Sequence, residues 1–349
     1  MQAPRCVNWL SNKCKSMPPL DSPSIIERLI ELQRAIRAEV IRSRAAIQAH
    51  AVVRDSAADT IYKIDATIEP LLEDFCREWS RALPLILIAE GLESENGIEA
   101  CKVFPQGTRE QDAVIRLIVD PIDGTRGLMY DKRAAWSLAG VAPNKGSMTR
   151  LSDIEIAVMT ELPTTKMGYA DVLWAARGNG AAGVRVDLAN FDQSPLQLAP
   201  STATTIDHGF AMISNFFPGT KVLASSLMEF IAERLTGAAN VNRAAVFDDQ
   251  YISTGGQMYE LIVGHDRFNA DLRPLFYRMQ NQPMGLCCHP YDCAAALIAT
   301  EAGVHLTNGT GGPLDGPLDT TSPISWAGYA NETLRRQIEP VIREFLQRQ

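Results

Sequence analysis

Asp120 and Asp123 stand three residues apart around Pro121, behind the apolar run of LIVDPIDGTRGL at 117–128. Like charges this close repel, so the pair needs a positive partner. A divalent cation is one such partner, because carboxylate oxygens are the ligands Mg2+ takes. Pro121 cannot donate to a β-ladder and is expected to interrupt the strand directly after Asp120. That leaves Asp120 at a strand's carboxyl end, where open α/β sheets bind ligands. Glu90 stands in the same relation to LILIA at 85–89. Asp292 is expected in the first turn of a helix, where the macrodipole favours negative charge. The N–H groups of Gly124 and Thr125 suit a phosphate oxygen at a helix start. The competing reading is a surface turn, since Asp-Pro and Asp-Gly are common turn formers.

The elements that must position these groups show as periodicities. Ser24 and Glu27 form a capping-box pattern, and Ile25, Leu29, Ile36, Val40 and Ile47 lie on one helical stripe. A second helix is expected after Asp65, with Pro70 in its first turn and Ile68, Leu72, Phe75 and Trp79 facing inward. Strands are expected at Leu85–Ala89, Val114–Val119, Trp136–Ala142 and Ile154–Met159, with a glycine-punctuated turn at 175–183. The polar stretch 190–205 marks the expected boundary between subdomains at 21–195 and 196–349, and residues 1–20 read as a loose extension. Beyond the boundary we expect a strand at Phe210–Ser214, a helix near Ser225–Leu235 and a helix at Tyr291–Ala302 closed by Gly303. A strand at Ser325–Tyr329 and a terminal helix capped by Asn331 follow. The mixture predicts an α+β or α/β layered sandwich of alternating α and β layers in two subdomains.

The bulk numbers narrow the class. A chain of 349 residues, 46% hydrophobic and 21% charged, has the composition of a globular protein with a sizeable core. Its net charge of −8 argues against nucleic acid, which requires a basic face. No apolar run is long enough to span a membrane, no polybasic anchor appears, and the N-terminus lacks a secretory h-region. Seven cysteines without CxxC spacing indicate neither a disulfide framework nor a zinc finger. A cytoplasmic protein with reduced thiols is expected.

VDPIDGT at 119–125, followed by YDCAAALIATEAG at 291–303, resembles the two signatures of the inositol monophosphatase superfamily. Further matches stand in family order: IDATIE around Asp65, ILIAEG at Glu90, RGNGA at 177–181 and STGGQ at 253–257. The resemblance runs from about residue 24 to the C-terminus. It implies the sugar phosphatase fold and a Mg2+-dependent, lithium-sensitive phosphomonoesterase, a homodimer acting on a small phosphorylated substrate. By position it implies that Glu90, Asp120 and the carbonyl of Ile122 hold one Mg2+, and that Asp120, Asp123 and Asp292 hold a second. A third, weaker ion would sit near Glu90. Asp65, Thr125 and Glu90 would serve the attacking water, the amides of Gly124 and Thr125 would receive the phosphate together with Asp123, and Gly255 and Gly256 would lie in the substrate loop.

Departures from the pattern bear on substrate choice. Gly91 stands where the family has a second glutamate, Tyr291 where it has tryptophan, and Gly303-Val304 where it has paired glycines. A haloacid-dehalogenase mechanism is excluded, since the place of its nucleophilic aspartate is taken by Pro121. Arg126, Lys132 and Arg133, and equally Arg267 and Arg273, either meet a second anionic group on the substrate or are solvated. Cys287, Cys288 and His289 fit no zinc spacing and read as packing. Alternatives to an inositol- or sugar-phosphate phosphatase are a 3'(2'),5'-bisphosphate nucleotidase, a fructose-1,6-bisphosphatase-type enzyme, and a catalytically silent regulatory sugar-phosphate binder.

Overall fold

The computed structural model describes residues 20–46, 52–55, 60–92, 101–237 and 243–348. Its N-terminal half is α1 (Ser22–Ala46), β1 (Val52–Asp55), β2 (Thr60–Tyr62), α2 (Lys63–Trp79), β3 (Leu85–Ala89), β4 (Lys102–Phe104), β5 (Ile115–Asp123), α3 (Thr125–Met129), β6 (Ala135–Pro143), β7 (Ile156–Leu162), β8 (Tyr169–Ala176), β9 (Ala181–Asp187) and β10 (Gln193–Pro195). There follow β11 (Gly209–Ile213), α4 (Lys221–Thr236), β12 (Val246–Phe247), α5 (Thr254–Ile262), β13 (Asp266–Asp271), α6 (Arg273–Met279), α7 (Ala296–Glu301), β14 (His305–Thr307), β15 (Trp326–Tyr329) and α8 (Glu332–Arg348).

The strands form an eight-stranded sheet, ordered β10-β9-β8-β7-β6-β5-β3-β4, a five-stranded sheet, ordered β12-β11-β13-β15-β14, and the antiparallel pair β1-β2. Both faces of β3, β5 and β6 are buried, which is why their sequences read as continuous apolar runs. One face takes Leu85, Leu87, Ile115, Leu117 and Val119 into a core with Leu29, Leu32 and Ile36 of α1 and Ile68 and Leu72 of α2. The other takes Ile86, Ile88, Ile118 and Leu138 into a core shared with α5, α7 and the smaller sheet. The order of layers is helices, large sheet, α5 with α7, small sheet, then α4 with α8. This is the layered α/β sandwich expected from the sequence.

Several details differ from expectation. α1 begins at Ser22, so Ser24 lies inside it and is not the cap. α2 begins at Lys63, which places Pro70 in the helix interior. β5 does not stop at Asp120 but continues through Pro121 to Asp123. Ile47 lies outside the described residues. Other expectations hold at atomic detail. Gly303 occupies the C′ position of α7 at φ +99°, and Val304 N–H donates to the Ala299 carbonyl across the helix end. The Asn331 side chain accepts the Leu334 N–H at 3.0 Å at the head of α8.

The glycine turn between β8 and β9 has a function in assembly. The Gly178 and Gly180 N–H groups each donate to the Glu301 carboxylate at 2.8 Å, tying the large sheet to the end of α7. Glu301→Ala is expected to cost about 1–2 kcal/mol, with roughly half that for Glu301→Gln, which keeps one acceptor. Urea unfolding would measure both, and equal stability of all three proteins would refute the clamp.

Candidate metal centre

A bulge in β5 brings the first two carboxylates together. Alternate residues of a strand share a face, so positions three apart should point to opposite sides. Here Asp120 pairs with Leu138 of β6 and Asp123 pairs with Trp136, three steps on one strand against two on the other. The extra residue restores a common face, and Pro121 is tolerated because the ladder is interrupted there. The Asp120 carboxylate accepts the Ile122 N–H at 3.0 Å across the bulge. Glu90 follows β3, which runs parallel beside β5, and its N–H donates to the Val119 carbonyl at 3.2 Å.

Asp292 is not in the first turn of a helix, as expected; it lies in a chain of tight turns before α7. Cys293 N–H donates to Pro290 O and Ala294 N–H to Tyr291 O, both at 3.1 Å, so the backbone turns with three-residue spacing before the α-helix starts. The Asp292 carboxylate receives the His289 N–H at 2.6 Å and is thereby aimed back at the strand ends. The result is one cluster in which Asp120, Asp123 and Asp292 offer carboxylate oxygens within 4.8 Å of one another. Glu90, Ile122, Gly124 and Thr125 line the same cleft.

Electrostatics fits this donor set to a hard cation. Burial, then the charges of Glu90, Asp123 and Asp292, pushes the Asp120 carboxyl well above its ordinary range. Asp123 is raised to about 6 by burial, against the pull of three donors from a distant part of the chain. Those donors are the head of α5: the Gly255 N–H at 2.5 Å, the Ser253 hydroxyl at 2.8 Å and the Thr254 N–H at 3.2 Å. Ser253 is also the N-cap, accepting the Gly256 N–H at 2.9 Å. Glycine is required at 255, where a Cβ would stand 2.5 Å from Leu138 and 3.0 Å from the Asp123 carboxylate. Gly124 adopts φ +97° with the Ile252 carbonyl and Ser253 crowding its Cβ position, so this turn too admits only glycine.

The remaining sequence candidates divide. The Thr125 hydroxyl donates to the Ile122 carbonyl at 2.7 Å. Asp65 lies in the first turn of α2, and its side chain lies outside the described residues. Gly256 backs onto the Tyr251 ring. Of the basic residues, Arg126 and Arg273 line the cleft. Arg133 turns away to Glu260 and Asp249 and stacks 3.9 Å from the Tyr251 ring centre. Lys132 is exposed, and Arg267 binds the Thr205 carbonyl at 2.9 Å. Cys287 is a buried wall residue whose thiol burial pushes up to about 12, and Cys288 packs against Cys293, so this segment is packing. Four cleft residues had no sequence signal: Phe216 and Phe217, which follow β11, together with Ile252 and Leu286.

Solved structures share the whole architecture at low identity. Leishmania major fructose-1,6-bisphosphatase in holo form aligns at 13% identity and TM-score 0.65, over 94% of this chain and 96% of that one. Thermotoga maritima IMPase aligns at 15% and 0.60, over 93% and 99%. Bartonella henselae extragenic suppressor protein suhB aligns at 16% and 0.60, over 92% and 99%. This chain has the inositol monophosphatase and fructose-1,6-bisphosphatase-like fold. No family model and no curated relative matches its sequence.

In this fold the acidic cluster predicts a linkage between pH and metal. Asp123 has a folded-state pKa of about 6 against an ordinary 3.8, so without a cation its stabilisation is present below about 4 and lost as pH rises through 6. Mg2+ should reverse this, because its ligands must be deprotonated. The rise in Tm on adding Mg2+ is expected to be larger at pH 8 than at pH 5 and to vanish with chelator. A pH-independent shift in differential scanning fluorimetry would contradict the assignment.

Proposed function

We propose that the protein is a Mg2+-dependent phosphomonoesterase that hydrolyses a small phosphorylated metabolite by direct attack of water. The observation that carries this is the convergence of Asp120, Asp123 and Asp292 beside the Gly124–Thr125 turn, with Glu90 on the same wall. Glu90, Asp120 and the Ile122 carbonyl would hold one ion, and Asp120, Asp123 and Asp292 a second, with Glu90 near a third. Two such ions, when bound, stabilise the attacking and leaving oxygens of an in-line displacement.

The chain's own groups supply the rest. The amides of Gly124 and Thr125 would receive the phosphate. The Thr125 hydroxyl, which donates to the Ile122 carbonyl, would orient the attacking water. We assign Asp65 as the partner that takes the proton from that water. Gly255 and Gly256 act from behind the wall by holding Asp123 and the α5 turn. The division near residue 195 belongs to the same proposal: the large sheet, ending at Pro195, brings Asp120 and Asp123, and the part beginning at 196 brings Asp292. We further propose a cytoplasmic homodimer, a state that sedimentation velocity would test; among the described residues no helix is long and apolar enough to cross a membrane.

Phosphate release from inositol, sugar and nucleotide phosphates, with Mg2+ and with EDTA, tests the reading. Activity that survives excess EDTA would refute it, and binding of sugar phosphates without turnover would favour a regulatory binder. Asp120→Asn is expected to cost more activity than Asp123→Asn, because Asp120 faces both ion positions. Thr125→Ala is expected to lower kcat by roughly 10²–10⁴ with little change in KM, and Thr125→Ser should recover much of it. Steady-state kinetics would decide; a change confined to KM would assign the threonine to binding.

A further inference from the structure

Beyond the carboxylates, the cleft wall includes Arg126, Phe216, Phe217, Arg273, Leu286 and Cys287. The hydroxyls of Ser253, Thr254 and Tyr291 on the same wall bond to Asp123, Cys288 and His289, and none of the six is a carboxylate or amide acceptor for a neutral polyol. Two are guanidinium groups. Arg273 is 4% exposed, and its position is set on every side. Its Nε donates to Asp271 at 2.8 Å, one Nη2 hydrogen also goes to Asp271, and one Nη1 hydrogen goes to the Leu286 carbonyl at 3.1 Å. A guanidinium has five N–H groups, so one remains on each terminal nitrogen. The plane lies 4.8 Å from the Phe216 ring centre and 5.2 Å from that of Phe217, while Arg126 lies 5.5 Å from Phe217. The aromatic rings are thus already engaged by guanidinium groups and serve to hold them, which disfavours stacking of a nucleobase.

We propose that Arg126 and Arg273 form a subsite for a second anionic group on the substrate, so that the enzyme prefers phosphate monoesters carrying another phosphate or a carboxylate. The inference rests on the phosphatase reading of the same cleft and deepens it. Arg273 is rigid before binding, because a buried carboxylate and two rings hold it, so little side-chain entropy is lost on contact. Asp271 compensates its charge, which lets a cation stay buried in the cleft wall. Arg126, on the short helix after the metal-binding turn, closes on the other side of Phe217. The product retains the second anion, so the reaction that consumes it must accept a singly phosphorylated or carboxylated metabolite.

Matched pairs of substrates isolate the second charge: a hexose 1-phosphate against the hexose 1,6-bisphosphate, and glycerol 3-phosphate against 3-phosphoglycerate. The first pair adds a phosphate and the second a carboxylate. The native protein with Mg2+ is expected to favour the doubly anionic member of at least one pair in kcat/KM by roughly 10–100-fold, the worth of a charge-assisted hydrogen bond. Arg126→Ala should reduce that ratio tenfold or more, mainly through KM. Replacing Arg273 alone would strand the buried Asp271, so the companion variant is Asp271→Asn with Arg273→Gln, which should also reduce the ratio. No preference in the native protein, or a preference that survives both variants, overturns the subsite. Absence of Mg2+-dependent turnover on all four compounds would refute the phosphatase reading separately. Thermal-shift titration with the same four compounds then still tests the subsite: the doubly anionic members must stabilise the native protein at lower concentration than the variants.

Discussion

Mutual repulsion among Asp120, Asp123 and Asp292 is the constraint around which this molecule is arranged. Three carboxylates within 4.8 Å of one another are unfavourable unless compensated, and the burial of Asp120 and Asp123 makes the repulsion worse. The structure meets this with rigidity. The β5 bulge fixes two of the groups, the His289 N–H fixes the third, and the head of α5 supplies three donors to Asp123. The strain is offset only in part by the protein itself, which leaves a defined demand for positive charge.

The same contacts join the two sheets. Asp123 belongs to β5, yet its partners lie on α5, which packs against both β6 and β13. At the far end Glu301 of α7 is received by the turn between β8 and β9. Behind the α5 turn, Tyr251 donates to the Ala134 carbonyl at 2.9 Å, accepts the Trp136 indole N–H at 3.0 Å and carries Arg133 on its ring. Arg133 therefore braces the α5 turn through the ring that supports Gly256. Basic residues that look alike in the sequence are divided by the fold into wall groups and braces.

Much of the architecture was legible in advance because it depends on local periodicity. Strands buried on both faces read as apolar runs, and LILIA became β3 residue for residue. Gly303 and Asn331 announced helix ends because their roles follow from backbone conformation and side-chain reach within four residues. The acidic groups were legible for a similar reason: Asp120 and Glu90 each directly follow an apolar run that reads as a buried strand. What misled was local reasoning about Pro121, since a proline inside a paired strand is admitted by a bulge that only the neighbouring strand reveals.

The sequence by itself determined the identity of the acidic groups, the layered α/β class and the glycine turns, because each is set by residue chemistry and spacing. Tertiary structure alone decided which groups meet. Asp292 lies 169 positions beyond Asp123, and their approach depends on the packing of α5 and α7 between two sheets. It also decided that Phe216, Phe217 and Arg273 share a wall while Arg133 does not, since side-chain direction depends on neighbours far away in the chain. Local preferences act over a few residues, whereas the cleft is closed by contacts between segments more than a hundred residues apart.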